Sequence, residues 1–347
     1  MLRHFLSFLV QLTICIYLGC VCVYAQNVTC SFPALYVTQL RIRETIIISN
    51  MRELEAIGFR MVVISPLIRQ PEGFATGNSF VIFLACKLKI KESVPAFLDP
   101  NIKIEDLLTG YDNLTIAFGG SIPIWQQLVY MSKCFQRIES EPRNAKLHRT
   151  KSQALYLISM GSNDFQVTYF NMPFRRLMYD LPTYIHLMVQ ASLDLVKDLY
   201  KLGARNIIVM GLPPLGCLPI QRTLGGDPFR RCDERLNVAA YLHGSLLIRE
   251  IGILMPKLPG SKIMYFDLYY IVLDMITDKE KYGFTDASLG CCGTGTFEVS
   301  ILCNKLSCSC PDPSKYIFWD STHTTEKANH IISKQLVKDV ISTFGSR

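Results

Sequence analysis

The sequence predicts an α/β protein built on a parallel β-sheet covered by helices on both faces. Two observations carry this. From about residue 150 onward, short apolar runs of strand length alternate with long helical stretches. Such alternation gives parallel strands joined by crossover helices. The apolar runs also end in turn chemistry, Gly161-Ser162-Asn163-Asp164 after the first and Gly211-Leu212-Pro213-Pro214 after the second. In sheets of this kind, functional groups gather at the carboxyl ends of the strands.

The N-terminus reads first as a processing signal. Arg3 and His4 precede an apolar run from Phe5 to Val23, and Val23-Tyr24-Ala25 places compact residues at a cleavage position. Residues 1–25 are therefore expected to be a secretory signal peptide, although the run is also close to the length of an anchor helix. No later segment is expected to span a bilayer. Residues 26–347 are expected to form one domain, since 49% of the chain is hydrophobic and it is long enough for an ample core.

In the first half, Thr45 to Ser49 and Met61 to Ser65 read as strands, with helix-like Glu53-Leu54-Glu55-Ala56 between them. Ala154 to Ser159 is a buried strand. Leu181 to Leu202 is a helix with Leu187, Leu193, Leu195 and Leu199 among its apolar positions and Gly203 as its C-cap. Asn206 to Gly211 is a second buried strand, and Cys232 to Met255 a second helix. Lys262 to Asp267 is a third strand, running into a helix from Leu268 to Thr277. Thr325 to Phe344 closes the chain as an amphipathic helix, with Ile331, Ile332, Leu336, Val340 and Ile341 on one face.

The net charge of +7 is modest for 347 residues, and the basic residues are scattered. That argues against a nucleic-acid groove. Of the 13 cysteines, Cys15, Cys20 and Cys22 fall in the leader, leaving ten. Five crowd together as Cys291, Cys292, Cys303, Cys308 and Cys310. No paired His lies beside them, and adjacent Cys291-Cys292 suits one zinc poorly, so disulfides are expected and no metal. Cys217 and Cys232 could staple the loop between them. Asn27-Val28-Thr29 and Asn113-Leu114-Thr115 are glycosylation sequons, at Asn27 and Asn113. All of this fits a secreted, extracellular protein.

Two short segments carry candidate chemistry. In Trp319-Asp320-Ser321-Thr322-His323, Asp320 and His323 are three residues apart and can meet across a turn. The carboxylate can hold one imidazole nitrogen while the other exchanges a proton. Gly161-Ser162-Asn163-Asp164 can present an amide and backbone N–H groups to a developing oxyanion. Taken singly, the first is an ordinary Asx cap and the second an ordinary turn.

Their order within longer strings is more specific. GARNIIVMGLPPLGCLP (203–219), GCCGTGTFEVSILCN (290–304), SKYIFWDSTHTTEKA (314–328) and ESVPAFLDPNIKIEDLLTG (92–110) resemble plant GDSL-type esterase/lipases of the SGNH hydrolase family, nearest their anther and pollen-coat type. The resemblance runs over roughly residues 71 to 343. It implies a three-layer α/β/α sandwich with a parallel, flavodoxin-like sheet. It also implies hydrolysis of carboxylic acyl esters or lipids, chemistry that needs only side chains and water and no cofactor; a monomer without stable membrane insertion is expected. By position, Asp320 matches the family's catalytic acid, His323 its base, Asn163 the oxyanion-hole Asn, and Gly161 the residue opening that block.

The nucleophile has no counterpart. Phe32-Pro33-Ala34-Leu35-Tyr36-Val37 resembles the strand that precedes the family's Gly-Asp-Ser block, but Thr38-Gln39-Leu40 follows it. Residues 38–70 do not resemble the family, so the N-terminal part is degenerate. Ser49 and Ser65 end apolar runs, yet neither has a flanking Gly and Pro66 follows Ser65 directly. Without a nucleophile the covalent route is closed, and loss of one triad member lowers the rate by several orders of magnitude.

Overall fold

The computed structural model describes residues 35–40, 62–63, 87, 124–139, 151–172, 174–225, 228–299, 302–303 and 307–345. The leader, both sequons, Thr45 to Ser49, Glu53 to Ala56 and Ser65 lie outside these residues.

Five parallel strands form the main sheet: β1 (Leu35–Leu40), β2 (Val62–Val63), β3 (Leu155–Met160), β4 (Asn206–Met210) and β5 (Lys262–Phe266). Their order is β2-β1-β3-β4-β5, which is the flavodoxin-like doubly wound order. The chain reverses direction of travel across the sheet between β1 and β3. That switch point is where open α/β sheets form a crevice beyond the strand ends. β1 and β3 pair in register from Leu35↔Leu155 to Leu40↔Met160.

β3 and β4 form because their side chains leave water on both faces. Leu155, Tyr156, Leu157 and Ile158 are consecutive and wholly buried, as are Ile207 and Ile208 of β4. A run without polar alternation is stable only under helices on either side. α1 (Ile124–Glu139) contacts β1 and α2 (Leu181–Lys201). α2 packs on α3 (Glu234–Leu254), while α4 (Leu268–Thr277) and α5 (Glu326–Phe344) pack together, α5 also against β5. Carboxylate caps start three of these helices: Asp180 accepts from Thr183 N, Asp233 from Arg235 N and Asp267 from Tyr270 N, each worth about 1 kcal/mol.

The expected strands and helices from residue 154 onward fall within two residues of those observed. One expectation was too strong. By length and composition α3, continued to Lys257, would suffice to cross a bilayer. Here its Leu236, Ala239, Ala240, Leu247 and Ile251 are buried in the core. α1 was not foreseen, nor was a small second sheet in which β6 (Asp286–Gly290) pairs parallel with β7 (Tyr316–Phe318).

Candidate active site

The loop after β7 carries Asp320 and His323. It is closed at its base by an antiparallel bridge between Phe318 and Thr324 and by Trp319 N–H donating to His323 C=O at 2.7 Å. Thr325 then caps α5, and its hydroxyl donates to Tyr316 C=O at 2.8 Å, pinning the helix start to β7. Residues 320–323 thus form the tip of a fixed turn.

Asp320 is completely buried. Its Oδ1 accepts the backbone N–H groups of Thr322 (2.8 Å) and His323 (2.7 Å). Its Oδ2 lies 2.6 Å from His323 Nδ1. One oxygen therefore builds the Asx turn, and the other orients the imidazole that this turn brings round. The two expectations for this segment, a local cap and an acid–base pair, describe opposite oxygens of one carboxylate. With Nδ1 committed to Asp320, proton exchange with any substrate falls to Nε2.

Ser321 is clamped from two sides. Its N–H donates to Glu298 C=O at 2.8 Å, and its C=O accepts from Ile220 N–H at 2.9 Å. Glu298 is in turn wrapped by its own loop. Its Oε2 accepts from Thr294 Oγ1 and from the N–H groups of Thr296 and Phe297. Burial would raise this carboxyl, but those hydrogen bonds prevail and hold it at about 2.

Disulfides Cys291–Cys310 and Cys292–Cys303 lie directly beneath the turn. Cys291 N–H donates to Phe318 C=O and Cys292 N–H to Trp319 C=O, at 3.0 and 2.8 Å. Trp319 packs with these cysteines in a small core of its own. A third bridge joins Cys217 to Cys232. The expected bridging within the cysteine cluster is therefore present, and among its five members Cys308 is an exposed thiol. Among the described residues no group of side chains has metal-site composition.

The other candidate block follows β3. Gly161 has φ +104°, a left-handed conformation in which a side chain is strained, and a Cβ there would also press on Leu212. The turn it makes feeds a wide helical segment, Asp164–Asn171, closed by an i→i+5 bond from Met172 N–H to Val167 C=O. Wide turns of this kind recur at functional sites. Asn163 is 4% exposed, and its buried Nδ2 has no hydrogen-bond partner among the described residues. A buried amide donor left unpaired costs about 1–3 kcal/mol, so its retention calls for a ligand or water to satisfy it. Asp164 beside it has a buried Oδ2 unpaired among the described residues, and burial pushes this carboxyl up to about 6. The block stands at the carboxyl end of β3, one residue past the Leu40↔Met160 pair and at the switch point.

The two blocks share a buried connection that sequence reasoning missed. Gln221 Nε2 donates to Gln166 Oε1 at 3.4 Å, with both side chains almost fully buried. Nothing in the local pattern around Gln166 or Gln221 marks them, because the tie exists only in three dimensions.

The family pattern for GDSL-like lipase/acylhydrolases matches residues 105–336. The chain belongs to that family. Among its curated relatives, GDSL esterase/lipase EXL3 of Arabidopsis thaliana is 38% identical over 281 residues, covering 78% of this chain and 77% of the relative. GDSL esterase/lipase EXL2 of the same plant is 37% identical over 286 residues, covering 75% of each. The GDSL fold accounts for the α/β architecture with its parallel sheet, and the ancestry is that of acyl-ester hydrolases. In this GDSL chain, however, β1 ends in Thr38-Gln39-Leu40, where Gly-Asp-Ser is the expected continuation.

Proposed function

We propose that this chain is a secreted protein of acyl-ester hydrolase descent that retains the acid–base and oxyanion ends of the reaction but lacks its nucleophile. Asp320 orients His323, Nε2 of His323 serves proton transfer, and the Asn163 amide with the Gly161 turn polarises an ester carbonyl. The carrying observation is the buried Nδ2 of Asn163, without a partner among the described residues, at the switch-point edge of the sheet. An oxyanion or ester oxygen is the group that would satisfy it. Residues 1–25 are removed on secretion, and 26–347 act as one monomeric, glycosylated domain without a cofactor. The three disulfides support an oxidising compartment.

The test is turnover of short p-nitrophenyl esters by protein made through a secretory pathway. Turnover should lie orders of magnitude below that of an intact triad, and His323→Ala should lower it little further. Rapid hydrolysis abolished by His323→Ala would instead reveal a substitute nucleophile and overturn the reading. A second reading, a non-catalytic binder of acyl esters or wall polymers, is favoured by the same missing Gly-Asp-Ser. It predicts saturable ester binding weakened by Asn163→Ala with no turnover at all.

A further inference from the structure

The short helix Pro219–Leu224 grips both halves of the candidate site. On one side Ile220 N–H holds the carbonyl of Ser321, the residue between Asp320 and His323 in the fixed turn. On the other, the next residue, Gln221, reaches Gln166 with its side-chain amide. Gln166 lies three residues beyond Asn163, on the wide helical segment that Asn163 caps. The tie is buried, with Gln221 2% and Gln166 3% exposed. A hydrogen bond between two neutral amides in such surroundings is directional, and breaking it leaves two desolvated polar groups.

We propose that Gln221 is a positioning residue, which through Gln166 fixes the Asn163 amide relative to the Asp320–His323 pair. It would not itself touch the substrate. The two blocks come from β3 and β7, strands of different sheets that are not paired with each other. Their separation therefore depends on what spans them, and a carbonyl polarised by one and served by the other tolerates only small errors of placement. The inference rests on the roles proposed above for Asn163 and His323.

The test asks whether a change on one side is felt on the other. Gln166→Met and Gln221→Met keep length and remove the hydrogen bond, whereas Gln166→Glu keeps the acceptor. NMR signals of the His323 ring and the Asn163 side-chain amide are recorded in each. Gln166→Met, made on the Asn163 side, should shift the His323 ring signals. Gln221→Met should shift the Asn163 amide, and Gln166→Glu should move both much less. Perturbations confined to the side of each substitution would overturn the proposal. If Gln221→Met does not fold, the Gln166 pair of variants carries the same comparison. A wild type without turnover counts against hydrolysis by this chain, and the NMR comparison still decides the positioning role.

Discussion

Asp320 and His323 are joined at 2.6 Å through Oδ2 and Nδ1, while Oδ1 of the same carboxylate takes the backbone N–H groups of Thr322 and His323. The carboxylate is thus the structural centre of the turn as well as the partner of the imidazole. The two residues should differ in what their removal does. Asp320→Ala strands three donors around a wholly buried position and should destabilise the fold by about 2–4 kcal/mol. His323→Ala removes a partly exposed ring and leaves the carboxylate with both backbone donors, so about 1 kcal/mol is expected. Urea denaturation of both variants gives the comparison. Equal losses would mean that the turn does not depend on the Asp320 cap.

The pH dependence of stability should contain two hidden, opposed contributions. His243 of α3 is 1% exposed, neither ring nitrogen has a hydrogen-bond partner among the described residues, and burial lowers it to about 4. Its unfolded form titrates near 6.5, so below that pH the unfolded chain binds a proton that the fold refuses. Stability falls as pH drops from about 6.5 to about 4, by on the order of 3 kcal/mol. His243→Leu should remove this loss, measured as unfolding free energy at pH 7 and pH 4.5.

Asp164 works in the other direction over nearly the same window. Its carboxyl is raised to about 6 from 3.8, chiefly by burial. The fold therefore holds a proton that the unfolded chain releases, and stability is lost as pH rises from about 3.8 through about 6. Asp164→Asn should stabilise the protein at pH 7 by about 1–3 kcal/mol, and the gain should vanish below pH 3.8. His243 and Phe165, the residue after Asp164, meet edge to face with ring centroids 5.6 Å apart, so both groups act on one region. In the wild type their slopes largely cancel. Each single variant should uncover the slope of the other residue, and two variants with the same slope would contradict the assignment.

The cysteines give a chemical prediction. Peptide mapping without reduction should recover Cys217–Cys232, Cys291–Cys310 and Cys292–Cys303, and Cys308 should react with iodoacetamide in the native protein. The 15-residue separation of Cys217 and Cys232 makes that bridge worth about 3 kcal/mol by loop entropy. Cys217→Ser should lower stability by about that amount. An unlabelled Cys308, or a bridge that includes it, would contradict the pairing.

The centre of the sheet was legible because β3 and β4 are buried on both faces. Leu155–Ile158 and Ile207–Met210 read as unbroken apolar runs, and the caps Asp267 and Thr325 mark where helices begin. Asp320 and His323 were legible because their contact is local, three residues along one turn. β6 and β7 were not, since Asp286–Gly290 has little apolar character and its pairing with Tyr316–Phe318 crosses the disulfide loop. The wide turn after Asn163 and the tie between Gln166 and Gln221 depend on partners distant in sequence, and no local spacing encodes them.

Gly290 links that missed sheet to the site. It ends β6 and precedes the two adjacent cysteines, and its backbone runs against the Asp320 main chain. A Cβ built there would stand 2.6 Å from the Asp320 carbonyl carbon and 2.7 Å from its oxygen. Both contacts are to backbone, so no side chain can swing aside. The Cys291 and Cys292 N–H bonds to Phe318 and Trp319 fix the same two segments and block their separation. Gly290→Ala must therefore displace the turn that holds the Asp320 carboxylate to His323. We expect a loss of about 1–3 kcal/mol, as for overpacking elsewhere, together with altered NMR signals from the His323 ring. Gly252→Ala is the control, since nothing lies within 4 Å of a Cβ at that position and helix propensity favours Ala. That variant should be neutral or slightly stabilising, with the His323 signals unmoved. A Gly290→Ala protein as stable as the wild type would show that the β6–β7 pair does not clamp the Asp320 turn.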